Sequence, residues 1–133
     1  MGATILLGGF IPEGEAALYP PTVLTNVTPG MPAYDEELFG PVAVLFRVNS
    51  EENAVRIAND TVFGLGAGIF TADIEKGKQL AEKGIEAGCV FVNDFVKSDP
   101  RLPFGGVKES GYGRELSTIG IREFVNIKTI VVK

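Results

Sequence analysis

Between Pro41 and Asn93 the sequence alternates between two kinds of segment, and that alternation limits the fold more than any other feature of the chain. Val42 to Val48 is a β-branched and aromatic run suited to a buried strand. Ser50 then offers an N-cap, with Glu51 and Glu52 in the first turn. Ala54, Ile57, Ala58 and Thr61 recur at i, i+3, i+4 and i+7, which predicts a helix with one apolar face. Gly64 and Gly66 introduce a second apolar run, Ala67 to Phe70, after which Asp73 is placed to cap a second helix. On that helix Gly77, Leu80, Ala81, Gly84 and Ile85 share a face, while Glu75, Lys76, Lys78, Glu82 and Lys83 take the wet side. Gly88 should end it, before a third run from Cys89 to Asn93. Strand, helix, strand, helix, strand with compact connections describes two consecutive βαβ crossovers, so the predicted fold class is α/β with a parallel sheet. Each internal helix glycine costs about 1 kcal/mol relative to alanine, which predicts close approach of this helix to a neighbour at Gly77 and Gly84.

The flanks follow different rules. Met1 to Thr28 is rich in Gly and Pro, with strand-like runs at Thr4 to Leu7 and Thr22 to Val27, and Pro20-Pro21 should hold the approach to the second run extended. Pro100 to Gly113 carries Pro103, Gly105, Gly106, Gly111 and Gly113, the pattern of a long ordered loop of the kind that carries function. A short helical stretch falls within Arg114 to Val125. Ile127 to Val132 closes the chain as a β-branched run with no pairing partner nearby in sequence.

Composition narrows the chemistry. With 45% apolar residues, the 133-residue chain should bury a core of ordinary size as one compact unit. Twelve basic against seventeen acidic side chains, a formal charge of −5 and no long run of like charge argue against a nucleic-acid partner. No apolar stretch approaches the roughly 18 residues of a membrane span, and no signal segment opens the chain, so a cytoplasmic protein without a membrane partner is expected. The absence of histidine removes Ser-His-Asp and Cys-His nucleophile systems and the common Cys/His zinc arrangements; no metal site is expected. Cys89, the single cysteine, lies in the apolar run Cys89-Val90-Phe91-Val92-Asn93 and reads as a packed thiol rather than a nucleophile.

Nucleotide-loop signatures are incomplete. Gly106 and Gly111 have the spacing of a P-loop, but Tyr112-Gly113 stands where Lys and Ser/Thr should follow. Gly64 and Gly66 begin a dinucleotide fingerprint that Ile69 breaks. Asp35-Glu36-Glu37-Leu38-Phe39-Gly40-Pro41 is more informative because it sits at the entry to a predicted parallel strand. On composition alone its acids read as solvated turn residues, yet by position a carboxylate there can accept two ribose hydroxyls, and an aromatic two residues on can line a flat ring.

Taken in order, Glu36-Glu37-Leu38-Phe39-Gly40-Pro41-Val42, Asn59 through Leu65, Val92-Asn93 and Leu102-Pro103-Phe104-Gly105-Gly106-Val107-Lys108-Glu109-Ser110-Gly111 resemble the aldehyde dehydrogenase superfamily over nearly the whole chain. The run Ser98 to Phe104, with Gly113 to Ser117 and Gly120 to Phe124, is similar to bacterial succinate-semialdehyde dehydrogenases. The resemblance implies the second half of a catalytic domain over residues 1–125, followed by an oligomerisation strand over 126–133 that joins a sheet of a neighbouring subunit. It further implies an NAD(P)-dependent oxidation of an aldehyde, succinate semialdehyde among them, to the carboxylic acid. In this scheme Glu37 binds the nicotinamide ribose of NAD or NADP, Phe39 lies beside the nicotinamide, and Phe104 lines the substrate tunnel. Ser98 and Arg101 are candidates for the remote end of the substrate, although a solvated loop serves Ser98 as well. No residue here matches the family's nucleophilic cysteine, general-base glutamate or oxyanion asparagine. The implied piece therefore has no catalytic residue of its own, is inactive alone, and needs an N-terminal cofactor-binding part and other copies of itself as partners. A non-catalytic α/β association module, or one subunit of a split enzyme, is the competing reading.

Overall fold

The structure is a computed structural model that describes residues 2–14 and 17–133. It is mixed α/β with parallel sheet segments, and it divides into two bodies, Met1–Glu51 and Glu52–Lys133, rather than the single unit expected from length.

The first body is a three-stranded sheet in the order β1 (Thr4–Leu7), β2 (Thr22–Thr25), β3 (Val42–Leu45). β1 runs antiparallel to β2 with an irregularity between Ile5 and Leu7, whereas β2 and β3 are parallel, pairing Thr22 with Val42 through Thr25 with Leu45. Parallel neighbours need a crossover. Here it contains one helical turn, α1 (Pro32–Asp35), which the sequence did not announce. Pro32 opens it with its φ already helical, and Asp35 Oδ2 accepts the Gly30 N–H at 2.8 Å. Thr22 pins the long β1–β2 connection: its hydroxyl accepts the Gly9 N–H at 2.9 Å and donates to the Pro20 carbonyl at 3.0 Å, which is why this polar residue can be almost fully buried. The run Val42 to Val48, expected as a buried strand, is ordered as strand only to Leu45 and alternates half-buried and exposed, because β2 offers four residues to pair with.

In the second body α2 (Glu51–Asn59) leads to β4 (Phe63–Gly64) and then β5 (Gly66–Ile69). α3 (Ile74–Lys83) returns the chain to β6 (Cys89–Val92), parallel to β5. This is one of the two expected crossovers. A second parallel pair, β2 with β3, lies within the first body. Asp73 caps α3 as the sequence predicts, its Oδ1 accepting the Lys76 N–H at 2.9 Å. Gly77 meets a neighbour as expected; a Cβ there would lie 2.7 Å from Val92 Cγ1.

Gly84 and Gly88 exchange their expected roles. The helix stops at Lys83 with Gly84 as its cap. There the Asn59 side chain turns the chain aside, donating to the Gly84 carbonyl at 2.7 Å and accepting the Glu86 N–H at 2.9 Å. Gly88 is the position of close approach instead: a Cβ on it would lie 1.7 Å from the Gly105 carbonyl oxygen.

The predicted loop Pro100 to Gly113 contains β7 (Val107–Lys108), antiparallel to β4, and α4 (Ser117–Arg122) follows it. Residues 127–133 enter no ladder among the described residues.

Little apolar surface is sequestered. Val27 is the one buried hydrophobic residue among those described, and no large side chain is fully buried. The exposed surface is 10264 Å². Two independent folded bodies of these lengths would expose roughly 8,100 Å² by the scaling of surface with mass. The core of ordinary size expected from composition is therefore not present, because apolar side chains such as Ile5, Leu7, Phe95 and Ile130 lie at the surface. No helix among the described residues is long and apolar enough to cross a membrane.

Candidate cofactor and substrate site

In the first body the candidate residues lie between α1 and β3. The helix ends because Glu36 turns extended, at φ −116° and ψ 153°, while its N–H still reaches the Pro32 carbonyl at 2.9 Å. Two short turns follow, Gly40 N–H to Leu38 O at 2.9 Å and Val42 N–H to Gly40 O at 2.8 Å, and the Thr22 N–H then takes the Pro41 carbonyl at 2.8 Å to begin the ladder. This corner presents Glu37 and Phe39 outward. Glu37 is exposed and has no hydrogen bond or ion pair among the described residues. Phe39 is 93% exposed and lines a cleft of about 580 Å³ together with Leu18, Tyr19 and Pro41. A free carboxylate offers two acceptor oxygens to vicinal hydroxyls, and an unstacked phenyl face suits a flat heterocycle.

In the second body a cleft of about 500 Å³ runs along β6, from Gly88 to Val92, and is closed on its other side by Asp94, Lys97, Asp99 and Leu102 to Phe104. Phe104 is half-buried and held at both backbone groups: its N–H donates to Glu115 O at 2.9 Å, and Glu115 N–H donates to Phe104 O at 2.7 Å. Arg114 fastens the same loop, with Nη1 donating to Gly106 O at 2.6 Å and to Gly113 O at 2.8 Å. Cys89 also lines the cleft, half-buried, with Sγ 3.8 Å from the Gly105 carbonyl oxygen.

The structure separates the two residues considered for the substrate's remote end from this cleft. Ser98 is exposed and does not line it. Arg101 borders a different depression, of about 520 Å³, with Leu116, Ser117 and Phe124. Its guanidinium grips Asp99 twice, Nε to Oδ1 at 2.9 Å and Nη2 to Oδ2 at 2.6 Å. The Arg101 fork, helped by the Arg101 backbone N–H, holds the Asp99 carboxyl well below the usual carboxylate range. Lys97, 2.6 Å from Asp94, lowers that carboxyl as well, first through its hydrogen bond.

Three further residues organise the second body, and the sequence reading assigned them no such part. Lys108 Nζ donates to the carbonyls of Asn59 at 2.8 Å and Thr61 at 3.1 Å and pairs with Glu86 at 3.0 Å, so one ammonium closes the C-terminus of α2. Asn59 holds the end of α3 as described above. Asn93, at φ 57°, clasps Thr71 by accepting its N–H and donating to its carbonyl, both at 2.8 Å. The Asn93 N–H also donates to Ile69 O at 2.7 Å, so the residue ties the chain beyond β5 to the end of β6. Asparagine as the last residue of a helix or immediately after a strand is a detectable signal for such work; nothing local marks Lys108.

The aldehyde dehydrogenase family matches residues 1–130, and the chain belongs to that family. Within it, the chain is 54% identical over 129 residues to an aldehyde dehydrogenase of Paenarthrobacter nicotinovorans. It is 52% identical over 129 residues to the NAD(P)+ succinate semialdehyde dehydrogenase of Escherichia coli. Both alignments cover 97% of this chain and 28% of the relative. The succinic semialdehyde dehydrogenase of Streptococcus pyogenes, solved with NADP+, superposes with a TM-score of 0.91 at 43% identity, over 98% of this chain and 29% of that one. The chain thus spans a little over a quarter of the length of these relatives.

Proposed function

We propose that this chain is the C-terminal part of an NAD(P)-dependent aldehyde dehydrogenase that oxidises succinate semialdehyde, with residues 1–125 belonging to the catalytic domain and 126–133 forming an oligomerisation strand. The observation that carries the reading is about 50% identity to relatives named for that aldehyde, sustained over 97% of the chain. The residues present fit the cofactor: Glu37 is a solvent-facing carboxylate whose acceptors are unused among the described residues, and Phe39 offers an open ring two residues on. Hydride acceptance is the chemistry that NAD(P) supplies when bound. Glu37 accepts ribose hydroxyls and Phe39 restricts the ring, so that both act by alignment, on which transfer depends steeply. Phe104, fixed by its backbone bridge to Glu115, forms an apolar wall for the aldehyde chain. Ser98 and Arg101 stand in the loop toward the substrate's remote end. No residue of the chain breaks or makes a bond in this scheme, so the chain alone is inactive.

In the complete polypeptide, Glu37→Gln should lower kcat by about ten- to a hundredfold, the scale of lost alignment, with the unfolding transition unchanged. Unaltered kinetics would reject the assignment. A second reading, a non-catalytic association module, draws support from the surface in excess of that of independent domains. Mixing the chain with an N-terminal counterpart separates them. Aldehyde-dependent NAD(P)H formation supports the enzyme part, and a stable but inactive complex supports the module.

A further inference from the structure

Three charged residues line the cleft beside Phe104: Asp94, Lys97 and Asp99. Lys97 lies 2.6 Å from Asp94, and that pair cancels locally. The charge left over is that of Asp99, whose counter-ion, Arg101, does not line the cleft. The partners are also unequally placed. The Asp99 side chain is 29% exposed, whereas that of Arg101 is 86% exposed and borders the depression near Ser117. The loop between them is tight: Leu102 N–H donates to Asp99 O at 2.9 Å and Arg101 N–H to Asp99 Oδ1 at 2.9 Å, so the acid is fixed by its own turn as well as by the guanidinium.

We infer that Arg101 is a specificity-determining residue that acts through Asp99: from outside the cleft it neutralises the one unbalanced carboxylate on the cleft wall, and so admits aldehydes that carry a second, anionic end. The inference rests on the proposed oxidation of succinate semialdehyde and deepens it by assigning Arg101 a masking role in place of direct contact. The two roles differ in one consequence. An arginine that grips the substrate carboxylate is missed whether or not Asp99 is present. An arginine that masks Asp99 is missed only while Asp99 is charged. A bidentate fork 2.6 to 2.9 Å from the carboxylate oxygens is well suited to masking, because both acceptor edges are engaged at once. Arg101→Met then leaves an uncompensated anion on a wall of limited solvent access, where like charge repels an incoming carboxylate.

The test is a double-variant cycle in the complete polypeptide, comparing kcat/KM for succinate semialdehyde and for butyraldehyde, a neutral aldehyde of the same chain length. Arg101→Met should lower the succinate-semialdehyde to butyraldehyde ratio about tenfold through KM, Asp99→Asn should leave it within about twofold, and the double variant Asp99→Asn/Arg101→Met should restore it. Loss of the ratio in the double variant equal to that in Arg101→Met overturns the masking role, as does an unchanged ratio in Arg101→Met. The urea-unfolding midpoint of each variant serves as the control for folding, and butyraldehyde kcat/KM as the reference for the ratio. If the unaltered protein oxidises neither aldehyde, the proposed function fails first and the inference with it; if it oxidises both and the cycle shows no rescue, only the inference fails.

Discussion

Lys108 ties three segments of the second body together, and its two kinds of partner make different predictions for stability. The ion pair with Glu86 spans 3.0 Å, but the Glu86 side chain is 62% exposed, and a pair so open to water contributes about 0–1 kcal/mol. The bonds to the Asn59 and Thr61 carbonyls close a helix end with a cation. Bonds to a charged donor contribute about 1.5–3 kcal/mol, and because water can reach the Thr61 end the lower part of that range applies. Lys108→Met should therefore cost about 2 kcal/mol and Glu86→Gln less than about 1 kcal/mol. With a urea slope of about 1–3 kcal/mol per molar, the first substitution should lower the denaturation midpoint by about 1 M and the second by no more than about 0.5 M. Repeating both in 1 M NaCl should shrink the Glu86 effect and leave most of the Lys108 effect, because salt screens the exposed pair and not the capped carbonyls. Equal losses in the two variants, or a Lys108 effect that vanishes in salt, would refute the capping argument.

Three further outcomes follow from the geometry. Gly88→Ala places a methyl 1.7 Å from the Gly105 oxygen and must push the Phe104 loop away; a loss of about 1–3 kcal/mol in urea unfolding is expected, and an unchanged midpoint would contradict the close contact. Asn93→Ala removes both bonds to Thr71 and leaves alanine at φ 57°, so about 2 kcal/mol should be lost, with faster amide exchange at Thr71 as the local reading. The folded-state pKa of Asp99 is depressed below the ordinary 3.8, so its contribution is present above that value and is lost as pH falls below it. Acid unfolding of Asp99→Asn between about pH 4 and pH 2 should therefore be less steep than that of the unaltered chain.

The parts legible in the sequence were those set by local chemistry. Asp73 capped its helix, Gly77 marked a contact with Val92, and the runs at Thr4, Thr22, Ala67 and Cys89 became strands within a residue or two of expectation. Pairing was less legible. Nothing in Val42 to Leu45 names β2 as its parallel neighbour, since a β-branched run fits any parallel edge, and two-residue strands such as β4 and β7 lie below the length at which alternation can be read. Composition misled on the core for a related reason: it counts apolar residues without saying against what they pack. At the candidate site, the motif around Glu37 and Phe39 was visible as a motif, and its exposure was not. Asp99 went unnoticed because its significance lies in which side of the loop it and Arg101 occupy.

The pairing of β4 with β7 sets a schedule for synthesis. Lys108 follows its ladder partner Phe63 by forty-five residues, and at about 5–20 residues per second the ribosome takes roughly 2–9 seconds to deliver it. During that interval α3 can form and β6 can meet β5, with the Gly88 N–H bonded to the Gly64 carbonyl, but β4 waits for β7, the end of α2 lacks the ammonium that closes it, and Gly88 lacks the Gly105 backbone that packs against it. The segment most at risk on the nascent chain is thus β4, Phe63–Gly64, and any pause in translation before Lys108 would lengthen its exposure to chaperones and proteases.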